Sequence, residues 1–359
     1  MKKNKHKAIP TTVLIGGALL LGTLTGSVSA SAQAAPVATP PYKISAFAKS
    51  PAGVSQPDSM ALWNDNVIVG FQNHVAKDGT DGKFSTIVEF SLAGKVKRSF
   101  QVQGHNDGLR VVGDNQLWAV QNEDANPNLV VIDLKTGQAK KYKFASDPHG
   151  GGYDDIVVKD GKVYMTASNP TLDAMSNNVF PALVRASLSG DEVLVEPVLN
   201  GDASAVDIPT GKTVNLDLTD PDSLTIDPRG NIVLDSQADS ELVFVKHPFT
   251  NEQTVGKLSI TSSVTGAGGA TITLDDTAFV PSPKAFLLVT DVSAGVIYRI
   301  DGGTFGFEPG VAYSASDTLG LVGALNLDNG VVTPIVTGFG SARGLLFVAP
   351  EGDRDGDDR

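Results

Sequence analysis

The chain of 359 residues contains no cysteine. That absence excludes disulfides, thiolate metal ligands, cysteine nucleophiles and a lipid anchor on cysteine. Stability has to come from burial and hydrogen bonding. Basic residues are scarce: 28 Lys and Arg stand against 40 Asp and Glu, a formal charge of -12. An acidic surface repels phosphate backbones and anionic lipid, so neither nucleic acid nor a membrane surface is an expected partner. Long amphipathic helical stretches are lacking. After the first 34 residues no uninterrupted apolar run is long enough to span a bilayer. There is no G-x-S-x-G elbow, so a serine esterase of that type has no support. P-T-G-K-T at 209–213 is not a phosphate loop, because the Walker pattern requires glycine where Val206 stands.

What is present begins with a leader. Lys2, Lys3, Lys5 and Lys7 precede a mostly apolar run, Val13–Thr25, and Ala32-Gln33-Ala34 forms a small-x-small site. This pattern predicts a signal peptide over 1–34 and export to the periplasm or beyond, with no membrane insertion after cleavage. Removing the four lysines takes the charge from -12 to -16. Residues 35–350 are expected to form one domain. The charged end, 351–359, is expected to be a disordered tail, too short for a calcium loop.

Short β-branched or aromatic segments follow turn signals throughout. Asn66–Gly70 follows Asn64-Asp65, and Gln116–Val120 follows Gly113-Asp114-Asn115. Lys162–Thr166 follows Lys159-Asp160-Gly161, Asn231–Leu234 follows Pro228-Arg229-Gly230, and Ala285–Val289 follows Pro281-Ser282-Pro283. This predicts an all-β fold. Before each turn lies another strand that opens on a polar residue: Asp58, Asp107, Asp155, Asp222, Asp276 and finally Arg343. Successive marks are 49, 48, 67, 54 and 67 residues apart. Six marks at steps near 50 predict a six-bladed β-propeller of four-stranded antiparallel blades. In the second unit the strands read Leu109–Val112, Leu117–Val120, Asn128–Asp133 and Ala139–Phe144. In the last unit Val311–Ser314, Gly323–Asn326, Val331–Val336 and Leu345–Val348 all read as strands, with the innermost left open. The N-terminal segment Tyr42–Ala48 is expected to supply the strand that closes the ring. Trp63 and Trp118 are expected to pack between blades.

In an antiparallel meander the start of the innermost strand and the end of the second share one face. Carboxylates and amides should therefore meet at one mouth of a central channel. Asp58, Asp155, Asp222 and Asp276 are candidate metal ligands, and Ca²⁺ is the ion that a ring of oxygens suits best. Asp107 and Asp155 are candidates to activate water. Asn73, Asn106, Asn122, Asn169, His149 and Arg343 are candidate substrate contacts. An aspartate in a Pro-Asp-Ser turn can also simply bond its own backbone.

P-D-S-L-T-I-D-P-R-G-N-I-V-L at 221–234, H-N-D-G-L-R-V at 105–111 and D-D-I-V-V-K-D-G-K-V-Y-M-T at 154–166 carry a family likeness. They resemble blade phrases of the SMP-30/gluconolactonase-like six-bladed propellers and, more broadly, of NHL-repeat propellers. The resemblance implies one divalent cation in the channel, held by a Glu, an Asn and an Asp. Asp222 matches the aspartate. The asparagine falls near Asp154 or Asp155, and Asn106 matches a substrate-side asparagine. The family's E-G-P-V-W phrase has no counterpart, because P-D-S-M-A-L-W stands at 57–63. The expected activity is metal-dependent hydrolysis of lactones or related esters, in which the cation polarises a carbonyl. The alternative is a non-catalytic propeller that binds a small ligand or a protein.

Overall fold

A computed structural model describes residues 34–264 and 270–353. The predicted signal peptide, apart from Ala34, and most of the charged tail lie outside the described residues. Among the described residues the protein is all-β with no α-helix, and one short 3-10 turn covers Glu351–Asp353. No helix among them is long and apolar enough to cross a membrane.

The strands form antiparallel four-stranded groups, numbered here as sheets I to VI and given from the innermost strand outward. Sheet I is Pro57–Trp63, Asn66–Phe71, Phe84–Ser91 and Val96–Gln103. Sheet II is Asn106–Val112, Gln116–Gln121, Asn128–Asp133 and Ala139–Phe144. Sheet III is Gly152–Lys159, Lys162–Ser168, Pro181–Ser189 and Glu192–Asn200, and its outermost strand pairs in parallel with that of sheet II. Sheet IV is Pro221–Ile226, Ile232–Ser236, Glu241–Lys246 and Thr254–Ser259. The insertion near Asp202–Asp217 is a hairpin, Ser204–Asp207 with Thr213–Asn215, laid in parallel on the outer edge of sheet IV.

The last two sheets exchange strands. The inner strand of sheet V, Asp276–Phe279, does not pair with the segment that follows it. Its partner is Ala312–Ser316, followed outward by Leu321–Leu325 and Val331–Thr337. The intervening strands Phe286–Asp291 and Val296–Asp301 belong to sheet VI, whose inner strand is the C-terminal Ala342–Val348. The sequence expectation of a hairpin across Pro281-Ser282-Pro283 is therefore corrected. Proline lacks the N–H that a hairpin ladder needs, and two of them steer the chain across to the next sheet. Lys43–Lys49 pairs with Val296–Asp301 as the outermost strand of sheet VI.

Burial falls from the inner strands to the outer edge of each sheet. Asn66–Phe71 is buried along its whole length, whereas Val96–Gln103 at the outer edge alternates towards exposed. Asp160 (φ 50°) and Gly161 (φ 67°) both have positive φ, the conformation of a tight hairpin turn. The cores lie between consecutive sheets. Ala61, Ile68 and Ile87 of sheet I pack on Leu109, Leu117 and Ile132 of sheet II. Met60 and Val67 of sheet I pack on Leu288 and Val348 of sheet VI. Full burial of each such side chain contributes about 1.5–3 kcal/mol. Trp118 lies in the cluster between sheets II and III, and Trp63 is partly buried with Nε1 donating to the Asp114 carbonyl at 2.9 Å. The inner strands contact one another in succession, and that of sheet VI contacts that of sheet I. This order brings their first residues together.

Candidate metal centre

Five of the six inner strands share one irregularity. Pairing with the second strand slips between Pro57 and Met60, Asn106 and Leu109, Tyr153 and Ile156, and Pro221 and Leu224. Each bulge holds two residues: Asp58-Ser59, Asp107-Gly108, Asp154-Asp155 and Asp222-Ser223. Arg343-Gly344 lies in the same slip of sheet VI; in sheet V Asp276 pairs regularly with Ala315, and the pair Asp275-Asp276 stands at the head of the strand. A bulge breaks the two-residue alternation and re-aims a side chain.

The first residue of each pair joins a common acidic cluster. The second faces the neighbouring inner strand. Gly108 is there because a Cβ would come within 2.2 Å of the Asp154 carbonyl oxygen, and a Cβ on Gly344 within 2.5 Å of that of Asp58. Asp155 uses the close approach instead. Its Oδ1 accepts from Ile156 N at 2.7 Å and its Oδ2 from Leu224 N of the next inner strand at 2.8 Å. Asp276 repeats this with Thr277 N and Leu345 N, both at 2.7 Å. Both aspartates line the cavity, but their carboxylates are committed to backbone amides, one residue out of step with Asp58, Asp107 and Asp222. Their neighbours Asp154 and Asp275 hold the matching positions.

The cluster has two sides. On one, Arg343 Nη1 lies 3.1 Å from Asp58 Oδ2 and Arg343 Nε lies 3.4 Å from Asp275 Oδ1. Gln72 Nε2 donates to Asp58 and, at 2.7 Å, to Asp107 Oδ1. On the other side Glu123, Asp154 and Asp222 converge, with one oxygen from each lying within 4.8 Å of the others. Lys77 pairs with Glu123 and is more than half exposed. Nine carboxyl groups line the cavity against two side-chain cations, Lys77 and Arg343, so it strongly favours a positive charge.

Titration follows this layout. Burial pushes the Asp154 carboxyl well above the ordinary range, and the charges of Asp222, Asp107 and Glu123 add to it. Burial does the same to Asp222 against the hydrogen bond from Asp154, and the charges of Asp220, Glu123 and Asp107 add to the rise. Burial and Asp107 push Glu123 up to about 7 against the pull of Lys77. Asp107 goes the other way. Burial raises it, but His105, Lys77 and Arg343 more than reverse this and hold it below the usual range. Burial lowers His105, and Asp107 and Glu123 raise it further, to about 9.

The amides expected to meet a substrate are engaged within the protein. Asn73 donates to Phe84 O and Thr86 Oγ1 and accepts from Ser55 N. Asn106 is fully buried and donates to Val120 O. Asn122 donates to Asn126 O and accepts from His105 N, and Asn169 donates to Asp124 O. His149 is enclosed, with Nε2 2.6 Å from Gly152 O and Nδ1 3.1 Å from Asp147 Oδ1. Of the expected substrate contacts, only Arg343 lines the acidic cavity. Sequence reasoning did not single out Glu123, Asp275 or Lys77, and it left Asp154 as the alternative to Asp155. Glu123 directly follows the second-strand end Gln121-Asn122, and the doublets Asp154-Asp155 and Asp275-Asp276 were the available signal for the two aspartates.

No family model and no curated protein matches the sequence. Solved structures do match. A virginiamycin B lyase from Staphylococcus aureus is 10% identical with a TM-score of 0.47, over 80% of this chain and 86% of that one. A protein provisionally named a gluconolactonase is 13% identical with a TM-score of 0.48, over 88% of each chain. A protein of unknown function from Bacteroides caccae is 8% identical with a TM-score of 0.46, over 82% and 87%. Likeness this distant assigns neither family nor activity.

Proposed function

We propose that the chain is an exported six-bladed β-propeller, with sheets I to VI as its blades and Lys43–Lys49 closing the ring, whose acidic mouth holds a divalent cation. The observation that carries this is the convergence of Glu123, Asp154 and Asp222 within 4.8 Å, with an Asp222 oxygen that makes no hydrogen bond. Buried carboxylates this close require protons or a cation between them. An all-oxygen donor set suits Ca²⁺. The ligand set read from sequence shifts accordingly: Asp222 stays, Asp154 takes the place of Asp155, and Glu123 enters.

The activity this site serves is hydrolysis of a lactone or related ester. A bound cation supplies Lewis acidity towards a carbonyl oxygen. Asp107, ionised and hydrogen-bonded by Gln72, is the group that takes a proton from water. Arg343, tied to Asp58 and Asp275, balances charge. A second reading, a propeller that binds a ligand without turning it over, is favoured by the engagement of Asn73, Asn122 and Asn169 within the protein.

The test is elemental analysis of the purified mature protein beside Asp222→Ala, followed by a panel of lactones. The expected result is about one calcium per chain in wild type, loss of it in the variant, and Ca²⁺-dependent turnover. A wild type that carries no metal and whose melting temperature ignores Ca²⁺ overturns the metal reading. Tight calcium without turnover leaves the binding reading.

A further inference from the structure

Beside the oxygen cluster lies a second convergence with different chemistry: His105, Asp107 and Glu123, each offering one atom within 4.8 Å of the others. All three are buried, at 4%, 5% and 7% exposure. Glu123 belongs to both groups. We infer that the mouth is a two-ion centre, in which Glu123 is shared between an all-oxygen site with Asp154 and Asp222 and a mixed nitrogen–oxygen site with His105 and Asp107. This rests on the reading of the oxygen site proposed above and reassigns Asp107 from proton acceptor to ligand.

The geometry of His105 carries the argument. Its Nδ1 lies 2.8 Å from the Val75 carbonyl oxygen, an acceptor only, so Nδ1 carries a proton and donates it. A backbone carbonyl holding one imidazole nitrogen is the usual support for a histidine that ligates a metal through the other. Nε2 is that other nitrogen. It faces Asp107 Oδ2 as an ion pair, and neither atom has a hydrogen bond of good geometry. The separations are 3.3 Å from Nε2 to Asp107 Oδ2 and 3.9 Å from Nε2 to Glu123 Oε1. A direct charged hydrogen bond would draw the atoms to about 2.7–2.9 Å. Two ligands on one four-coordinate ion with bonds of about 2.1 Å stand about 3.4 Å apart. The 3.3 Å separation is close to that spacing, and the 3.9 Å separation is wider than it.

The shared carboxylate is accessible to this role. Lys77, its present partner, has an ammonium on a flexible stem that is more than half exposed and can move into solvent. The donor sets differ, so the ions should differ. Imidazole suits zinc, cobalt and their neighbours, whereas carboxylates alone suit calcium.

The experiment uses full-length mature protein dialysed against Ca²⁺, then against Ca²⁺ with Co²⁺, with both metals counted per chain. The expected result is one calcium and one cobalt together, with the visible absorption of nitrogen-ligated Co²⁺. His105→Gln should lose the cobalt and its spectrum while keeping the calcium. Asp222→Asn should lose the calcium and keep the cobalt, and Glu123→Gln should weaken both at least tenfold. The wild-type counts stand whether or not a variant folds, and circular dichroism checks each variant. Calcium without cobalt, or cobalt displacing calcium one for one, overturns the two-ion centre and leaves the single-site reading intact. Loss of only one ion in Glu123→Gln overturns the sharing. Neither ion binding removes both readings.

Discussion

The two sides of the acidic cluster are built from the same residue type at equivalent strand positions, yet they solve opposite problems. Asp58 and Asp275 flank Arg343, which offsets part of the rise that burial gives both carboxyls. Asp154 and Asp222 face each other and Glu123, with Lys77 as the nearby cation. One inner strand out of six carries arginine where the others carry aspartate, and that residue decides which side has an internal counter-charge and which keeps carboxyl groups facing one another.

Removing the arginine should give the largest effect. Arg343→Met leaves Asp58 and Asp275 buried without a counter-charge, and the expected loss is about 3–5 kcal/mol by urea denaturation. A loss below about 1 kcal/mol would make the pair equivalent to an exposed bridge and the comparison empty.

The other side should respond to metal. Ca²⁺ at a hundred times its Kd is expected to add about 2.7 kcal/mol to wild type. Asp154→Asn should be more stable than wild type without metal, because a repelling carboxyl has gone, and should gain nothing from Ca²⁺. Melting curves with Ca²⁺ and with chelator decide this. If the variant still gains, Asp154 is not a ligand.

Adjacent aspartates sharpen the contrast. Asp155→Ala strips two backbone amides of their acceptor and should cost about 2 kcal/mol, with Ca²⁺ stabilisation unchanged. Equal effects of the 154 and 155 substitutions on the Ca²⁺ response would erase the distinction between the two bulge positions.

The smallest effect is expected deeper in sheet IV. Asp235 is 2% exposed and neither oxygen has a hydrogen bond. Burial, with the charges of Asp222, Asp276 and Asp220, holds its carboxyl well above the ordinary 3.8. Burial and Asp155 raise Asp276 to about 8. A carboxyl raised in the folded state binds its proton more tightly there than in the unfolded chain. Its stabilising contribution is complete below about pH 4 and is lost as pH climbs through the folded value. Metal-free protein should therefore be less stable at pH 9 than at pH 5. Asp235→Asn should recover about 1 kcal/mol at pH 9 and less at pH 5, as thermal melts at the two values would show.

Much of the strand pattern was legible. Turn pairs such as Asp160-Gly161 and the repeated polar opening of the inner strands marked the right segments, because turn chemistry and alternation are local. The start of each inner strand was less so. Asp155 and Asp276 stand where simple spacing puts them, but the cluster position falls one residue earlier, at Asp154 in its bulge and at Asp275. His105 and Glu123 are separated by 18 positions and meet only because the strand ends of sheet II come to one face. The exchange between sheets V and VI was hidden because Pro281 and Pro283 read equally well as a tight turn and as a crossing.

By itself the sequence determined that the chain would be β-rich, free of disulfides and strongly acidic, with one carboxylate recurring at the head of its inner strands. Composition and local periodicity suffice for that. The tertiary structure alone decided which carboxylates face one another, which are spent on backbone amides, and which have an arginine beside them. Those outcomes depend on distances of a few ångströms between strands far apart in the chain, and on a one-residue bulge that turns a side chain from one neighbour to another.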